Sequence, residues 1–245
     1  MAAASRRKTV WVWVIVLAVF AGAVWVAVST IRSSLHPLEV INDPFPAEDN
    51  RPEASEEDRG PVNFLVFGQA ASSNQTLSIF HLADGRRRID ILNFPQGAEV
   101  VANLEDVEAT LVAVEELTGA RMEHVMLWDL AFLTELESMD ITAEELTDDP
   151  ESFSADDVWT PVLQEALETQ DPGQLQSIAR SLTPYVAADQ GLNTGRITDL
   201  ARSLRHVPAA NIASCTIPED LTQAQRADLV EYFATGQPTR CAELF

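Results

Sequence analysis

Two charged clusters supply the residue types that could support chemistry in this 245-residue chain. Arg86–Arg88 are consecutive cations that could bind a phosphate, but they follow the hairpin signal Asp84-Gly85 and are expected on a solvated turn. Five acids between Asp148 and Asp157 could hold Ca²⁺ or Mg²⁺. They lack the alternating spacing and the glycine of a calcium loop, so a solvated acidic loop is the better interpretation.

Other catalytic signals are missing from the sequence. The four histidines lie far apart, at positions 36, 81, 124 and 206, and a structural role is expected for His124. There is no Gly-rich phosphate loop, no G-x-S-x-G turn and no H-E-x-x-H helix. No metal and no cofactor is therefore predicted from these residues. Trp128 and Trp159 are expected in the core, with a lipid pocket as the alternative.

Cys215 and Cys241 are the two cysteines, and both lie late in the chain. Without neighbouring histidines they make a poor metal site, so a disulfide is preferred over a metal pair or a reactive thiol. Pairing them would close a loop of about 27 residues and stabilise the fold by roughly 3 kcal/mol.

The N-terminus carries the strongest signal, an uncharged apolar run at 9–31 that follows Arg6-Arg7-Lys8. A helix over this run is about 34 Å long, enough to cross a hydrocarbon core of about 30 Å. We therefore predict residues 1–8 in the cytoplasm, a single transmembrane helix at 9–31, and the rest of the chain outside, anchored in the cell membrane. A cleaved signal peptide is the alternative, but the run is about twice the usual length.

The rest of the chain is strongly acidic. Residues 1–32 carry four cations and no acids, so with −22 overall the remaining residues carry −26. Such a body repels phosphate backbones, and nucleic acid is not an expected partner. Residues 32–60 are rich in Pro, Glu and Asp and predict an extracytoplasmic spacer before a domain at 61–245.

Within that domain, strands alternate with helices. Apolar runs predict strands at 62–68, 76–83, 88–94, 124–130 and 211–217. A helix capped by Asn103 is expected to end at Gly119. Further helical patterns cover 131–139, 157–169, 174–183 and 194–206, and a last helix opens with the capping box Thr222–Gln225. The alternation predicts a layered α/β fold.

Four of these stretches resemble the LytR-CpsA-Psr (LCP) family of bacterial cell-envelope proteins. "VEELTGARMEHVMLWDLAFLTEL" (114–136) is similar to that family's V-E-E-L-T-G-x-x-[IV]-[DN]-H-[YV]…[DN]-F-x-x-F segment. "PVNFLVFG", "QTLSIFHLADGRRRIDILNFP" and "GLNTGRITDLARSLRHVPAANIASCTIP" resemble its other strands and late helix. The resemblance implies an α/β/α domain with a central mixed sheet that binds a polyprenyl-pyrophosphate-linked glycopolymer. Active members transfer that polymer onto peptidoglycan with Mg²⁺.

The resemblance stops at the family's charged positions. Its G-S-D-x-R, R-S-D-T and S-I-P-R-D stretches correspond here to 68–72, 73–76 and 93–97, which contain no acid and no arginine. Arginines would hold the pyrophosphate and carboxylates the metal, so their loss removes the basis for transfer. No catalytic residue is assigned. The degenerate positions are Gln69, Ala70, Ser72, Ser73, Gln75, Gln96 and Gly97.

The sequence is compatible with three functions. The leading hypothesis is a non-catalytic accessory in cell-wall glycopolymer assembly that binds a polyprenyl-linked glycopolymer or an active relative. The second is a surviving Mg²⁺-dependent phosphotransferase, which requires Arg86–Arg88 and the acids near Asp148 to converge on one cavity. The third is a protein–protein interaction module.

Overall fold

Seven strands form one mixed sheet in the computed structural model of this chain, in the order β1-β6-β5-β2-β3-β4-β7. The structure describes residues 39–54, 60–69, 75–83, 85, 87–95, 98, 100, 106–129, 131, 183–192, 196, 211–235 and 241–245. The strands are β1 Glu39–Ile41, β2 Val62–Gln69, β3 Gln75–Leu82, β4 Ile89–Phe94, β5 His124–Asp129, β6 Val186–Asp189 and β7 Ile212–Thr216. The five predicted strands are confirmed to within one or two residues at each end.

Helix α1, Val107–Thr118, is ended by the predicted glycine. Gly119 adopts φ 64°, a left-handed conformation that a residue without a Cβ reaches at little cost. The N-cap is Asp106, whose carboxylate accepts a hydrogen bond from the backbone N of Ala109 at 2.9 Å. The prediction of Asn103 as the cap is therefore wrong, because Asp106 supplies the capping oxygen three residues later; Asn103 itself lies outside the described residues.

Helix α2, Gln223–Thr235, begins with the predicted reciprocal cap. The backbone N of Gln225 donates to the Thr222 hydroxyl at 3.2 Å, and the backbone N of Thr222 donates to the Gln225 side chain at 3.0 Å. The sequence pattern found this start correctly because a capping box is a local arrangement.

Both described helices pack on one face of the sheet, which we call the helix face. Its apolar core joins strand side chains such as Leu65, Ile79 and Leu92 to Leu111 of α1 and Leu229 of α2. The opposite face carries Val66, Ile91 and Met126, which are also buried. The part of the chain that the structure describes has no helix on that second face. The helices predicted at 131–139, 157–169, 174–183 and 194–206 lie almost wholly outside it.

Residues 39–54 belong to the folded domain, so this part of the spacer predicted at 32–60 is not a free segment. β1 pairs in parallel with β6, with Glu39 opposite Ala187 and Ile41 opposite Asp189. Arg51 also forms a buried ion pair with Glu115. The Pro- and acid-rich composition predicts a free segment here, but a three-residue strand and one buried arginine are enough to dock it.

Two further predictions concern the chain ends. Cys215 and Cys241 form the predicted disulfide, with their Cα atoms 6.0 Å apart. Among the described residues, no helix is both long and apolar enough to cross a membrane. The segment at 9–31 lies outside them, and its transmembrane character stays a prediction.

Candidate functional site

Four strands end at the same edge of the sheet, which we call the carboxyl edge. β2 is parallel to β5, β4 is parallel to β7, and β3 runs antiparallel between β2 and β4. The ends of β2, β4, β5 and β7 therefore share this edge, and the opposite edge is called the amino edge. In open α/β sheets, ligands bind outside the carboxyl ends of the strands.

The structure brings two of the degenerate positions together at the carboxyl edge. Gln69 and Gln75 are register partners at the ends of β2 and β3, and Asp129 of β5 pairs with Gln69 on its other side. Phe94, the last residue of β4, pairs with Leu77, so the exit at Pro95 leaves from the same edge. The described strand ends at this edge carry no arginine and no lysine.

The other degenerate positions cannot be placed in the same way. Ala70, Ser72 and Ser73 lie between β2 and β3, and Gln96 and Gly97 follow β4. All five lie outside the described residues. Their predicted roles as neutral replacements at this edge stay predictions.

A row of neutral polar side chains crosses the second face near the carboxyl edge. The Ser78 hydroxyl donates to the Asn93 side-chain oxygen at 2.8 Å, and the Asn93 amide donates to the Ser214 hydroxyl at 2.9 Å. The Thr76 hydroxyl is buried nearby and has no hydrogen-bond partner among the described residues. Asn93 corresponds to the first residue of the family's S-I-P-R-D stretch, and its side chain is hydrogen-bonded to the Ser78 and Ser214 hydroxyls.

Two clefts open beside this edge. One, of about 700 Å³, is lined by Val40, Gln69, Trp128, Asp129 and Tyr185 together with neighbouring apolar side chains of β1, β5 and β6. The other, of about 480 Å³, lies between α1 and the segment that follows β7, and its lining includes Glu116, Glu219 and Arg226. Trp128 is both buried and part of a cleft wall, so its expected core position is confirmed without excluding ligand contact.

The described part of the carboxyl edge offers few ligands for a magnesium ion. Asp129 is the one carboxylate at the described carboxyl-terminal strand ends there, and its Oδ1 already accepts a hydrogen bond from the backbone N of Ala131 at 2.9 Å. The described residues contain no group of three His, Cys, Asp or Glu side chains that could hold a metal ion. Mg²⁺ is usually bound through one or two carboxylates, with waters and substrate phosphates as its other ligands, and the described carboxyl-terminal strand ends supply one carboxylate.

The buried, paired charges of the described sheet residues lie instead at the amino edge. Asp90, fully buried at the start of β4, accepts hydrogen bonds from Arg88 Nε at 2.6 Å and from the Tyr232 hydroxyl of α2. Burial, followed by the Asp90 charge, raises the pKa of Tyr232 well above its ordinary value. The carboxylate is therefore paired with a cation and a neutral donor, as a buried charge requires.

His81 lies beside this group and is held neutral. It is the register partner of both Asn63 and Asp90, and its Nδ1 lies 2.6 Å from the Asn63 side-chain oxygen. The rings of Phe233 and Tyr232 pack on it at centroid distances of 5.0 and 5.4 Å. Burial, assisted by the Arg88 charge, lowers the pKa of His81 to about 3. A neutral histidine in an aromatic contact is a structural group.

A second cluster at the amino edge fastens residues 39–54. Arg51 donates to the Glu115 carboxylate at 2.7 Å and to the backbone O of Met122 at 2.5 Å, and its guanidinium lies 4.6 Å from the Phe45 ring centroid. Arg121 pairs with Glu48 at 2.5 Å, and this hydrogen bond lowers the pKa of Glu48. Both pairs join sequence positions more than sixty residues apart.

Glu123 and His124 complete the amino edge. Glu123 accepts a hydrogen bond from the backbone N of Asn63 at 2.6 Å, yet burial raises the pKa of its carboxyl to about 7. His124 Nδ1 lies 3.2 Å from Asp189, which also accepts from the backbone N of Val125 at 2.9 Å. His124 is thus oriented by Asp189 at the edge opposite the clefts, and the structural role expected for it stays a prediction.

This arrangement excludes Arg87 and Arg88 from the carboxyl edge. They are the last two residues of the connection between β3 and β4, at the amino edge. Gln75 begins β3 at the carboxyl edge, so about 24 Å of strand separates the two arginines from Gln75. Arg88 is also engaged with Asp90. The relocation of transferase residues to Arg87 and Arg88 is therefore wrong. Arg86 and the acids near Asp148 lie outside the described residues.

Sequence reasoning missed the amino-edge groups, although one signal was present. Asp90 is a charged residue inside the apolar run "IDILNF", and a carboxylate in a buried strand needs a partner. Arg51, Tyr232 and Asp189 had no such local signal, because their partners are distant in sequence. The short strand β6 was also missed, since four residues are too few for a period to be recognised.

Comparison with known proteins identifies the fold. No family model matches the sequence, and no curated protein matches it. Among solved structures, the LytR-Csp2A-Psr enzyme from Actinomyces oris is similar with a TM-score of 0.50 and 12% sequence identity, over 81% of this chain and 96% of that chain. TagT from B. subtilis reaches a TM-score of 0.48 with 10% identity, over 81% of this chain and 99% of that chain.

The A. oris structure supports the resemblance read from the sequence at the level of fold. The central mixed sheet with its two described helices is that of an LCP-type α/β domain. At 12% identity this likeness shows the fold alone.

Proposed function

We propose that this LCP-fold chain is a membrane-anchored, non-catalytic accessory in the assembly of cell-envelope glycopolymers. It binds a polyprenyl-linked glycopolymer, or an active relative, without transferring the polymer. In this proposal the segment 9–31 anchors the chain in the cell membrane, and the domain lies outside the cytoplasm.

The observation that carries this proposal is the neutral carboxyl edge. Gln75 stands where the family pattern has an acid, Gln69 is its register partner, and Asp129 is the one charged residue at the described carboxyl-terminal strand ends. Two cations are needed to neutralise a pyrophosphate, and a carboxylate beside it is repulsive. An edge of this composition favours an uncharged part of a ligand over its pyrophosphate.

The clefts supply surface for such a ligand. The larger one combines the Trp128 and Tyr185 side chains with aliphatic residues of β1, β5 and β6, and Gln69 and Asp129 provide polar atoms at its rim. Mostly apolar clefts with a few polar groups are the usual form of small-molecule sites. Open clefts support ligand binding over a purely protein–protein role.

The test is a titration of the full chain, in nanodiscs, with two matched lipids. A polyprenyl pyrophosphate and the corresponding polyprenol differ in the charged group alone, and binding is followed by calorimetry. We expect saturable binding of both with affinities within about threefold, since the edge lacks a pyrophosphate clamp. Preference for the pyrophosphate by a factor of a hundred or more contradicts the proposal.

Turnover is measured in parallel. Mg²⁺-dependent release of phosphate or transfer of the glycan by the full chain, at rates comparable to the A. oris enzyme, would refute the non-catalytic role.

The matched gain-of-charge variant carries Ala70→Asp, Ser72→Arg, Ser73→Arg, Gln75→Asp, Gln96→Arg and Gly97→Asp. A rise in pyrophosphate affinity in this variant, without one in polyprenol affinity, assigns the loss to these positions. Binding of neither lipid leaves the interaction module as the surviving function.

A further inference from the structure

The chain enters the domain at the carboxyl edge, where Gln69 and Gln75 lie. β6 is antiparallel to β5, and β1 is parallel to β6, so β1 runs opposite to β5. Glu39, the first residue of β1, pairs with Ala187, which pairs in turn with Leu127, two residues before the end of β5. The backbone that precedes Glu39 therefore reaches the sheet from the carboxyl edge.

β1 also forms part of the site at that edge. Val40 and Ile41 line the cleft of about 700 Å³ together with Gln69, Trp128 and Asp129. The entry strand and the larger cleft are thus one structural unit.

After β1 the chain is held firmly to the body. Arg51 and Glu115 form an ion pair in which each side chain is 4% exposed, and Arg51 also donates to the Met122 backbone. Phe45 packs on the same guanidinium. Detachment of residues 39–54 would break this ion pair and leave Glu115 without its cation. Because removing one partner of a buried ion pair is costly, detachment is unfavourable.

The tether to the predicted anchor is therefore short. Only residues 32–38 separate the apolar segment 9–31 from Glu39. Eight peptide steps from Ile31 to Glu39 reach at most about 29 Å when fully extended. The sheet is about 24 Å from edge to edge along β3, so the two edges stand at clearly different distances from the point of attachment.

We propose that the docked entry strand orients the domain, so that the carboxyl edge and its larger cleft face the bilayer surface from which the chain emerges. This rests on the membrane anchoring in the proposed function. The amino edge, with its paired charges, faces away. A lipid-borne ligand then reaches the cleft directly from the bilayer, and the short tether sets the height of the cleft above the headgroups.

The test measures the distance of each edge from the bilayer. The full chain is placed in nanodiscs that contain an acceptor-labelled headgroup lipid, and a donor dye is attached to Gln69→Cys or, as the matched control, to Arg87→Cys. Both native residues are exposed, and they lie at the carboxyl and amino edges respectively. The native cysteines are both in the disulfide and do not compete for the label.

We expect energy transfer from position 69 to exceed that from position 87 about twofold or more, because the edges differ by about 24 Å in height. Inserting about 20 Gly/Ser residues between Ser34 and Leu35 adds a flexible reach of roughly 25 Å and should bring the two efficiencies together. Equal or reversed transfer in the chain without the insertion overturns the orientation.

Failure of the anchor gives a different result. If the chain does not associate with nanodiscs at all, neither position transfers energy, and both the anchoring and the orientation are refuted. If the chain associates but the two positions are equivalent, the orientation alone is refuted. Lipid binding in the titration above is a separate readout that neither result decides.

Discussion

The two edges of the same sheet differ in how they hold polar residues. At the amino edge, Arg88, Asp90 and Tyr232 form one buried group, and Arg51 and Glu115 form another. At the carboxyl edge, Gln69 and Gln75 pair without a cation, and Asp129 is exposed beside them.

The two edges show where charge contributes to this fold. Buried charges at the amino edge connect distant parts of the chain, and removing one partner leaves the other unpaired in the interior. The carboxyl edge can lose charge at little cost, because exposed strand ends need no ion pairs to fold. An LCP-type scaffold can therefore persist while a charged site at its carboxyl edge disappears.

The largest effect is expected from Asp90→Ala. This change leaves the partly buried Arg88 without its carboxylate and the Tyr232 hydroxyl without its acceptor, so we expect a loss of about 3–5 kcal/mol in the free energy of unfolding. Urea denaturation followed by circular dichroism measures it. Asp90→Asn keeps an acceptor for Tyr232 and should lose less. No loss in Asp90→Asn would show that the charge of Asp90 contributes nothing.

Arg51→Ala should cost about 2–3 kcal/mol. Glu115 would stay buried without its cation, but it would retain the hydrogen bond from the backbone N of Met122 at 2.8 Å. Limited proteolysis should cut residues 39–54 in this variant first. The matched control is Arg121→Ala, whose partner Glu48 is 70% exposed, so its loss should stay below about 1 kcal/mol. Similar losses in both variants would remove the distinction between the two pairs.

Glu123→Gln tests the amino edge by its pH dependence. Burial raises the pKa of Glu123 from 4.5 to about 7 in the folded chain. Its contribution to stability is therefore complete below about pH 4.5 and is lost as the pH rises through about 7.

We expect Glu123→Gln to match the parent chain near pH 4.5. At pH 8 the variant should be more stable by about 1–2 kcal/mol, because the amide still accepts from Asn63 and does not ionise. Thermal unfolding across this pH range measures the difference. Glu116→Gln, an exposed acid on α1, is the control and should give a flat difference. A flat difference for Glu123→Gln would show that Glu123 is not desolvated.

The smallest effect is expected from Gln69→Ala combined with Gln75→Ala. These residues end their strands at the carboxyl edge, and the exposed fraction of Gln69 is high. Their removal should change the free energy of unfolding by less than about 0.5 kcal/mol. A loss above about 2 kcal/mol would mean that the carboxyl edge, like the amino edge, is built for stability.

Much of the scaffold could be predicted because its signals are local. The continuous apolar runs of β2 and β4, the left-handed stop at Gly119 and the reciprocal cap of Thr222 and Gln225 depend on residues a few positions apart. The absence of charge at 68–76 was also a property of the sequence alone. Structure was needed to show that Gln69 and Gln75 meet, because register is a pairing between strands.

The sequence by itself determined the apolar runs, the caps, the acidic balance and the neutral residues at the strand ends. Tertiary structure alone decided which partner each buried charge finds, as with Arg51 and Glu115, which are 64 positions apart. It also decided that a segment with the composition of a spacer supplies an edge strand, and that this strand enters beside the larger cleft. The physical reason is that burial and ion pairing depend on distances in space, which local periodicity does not encode.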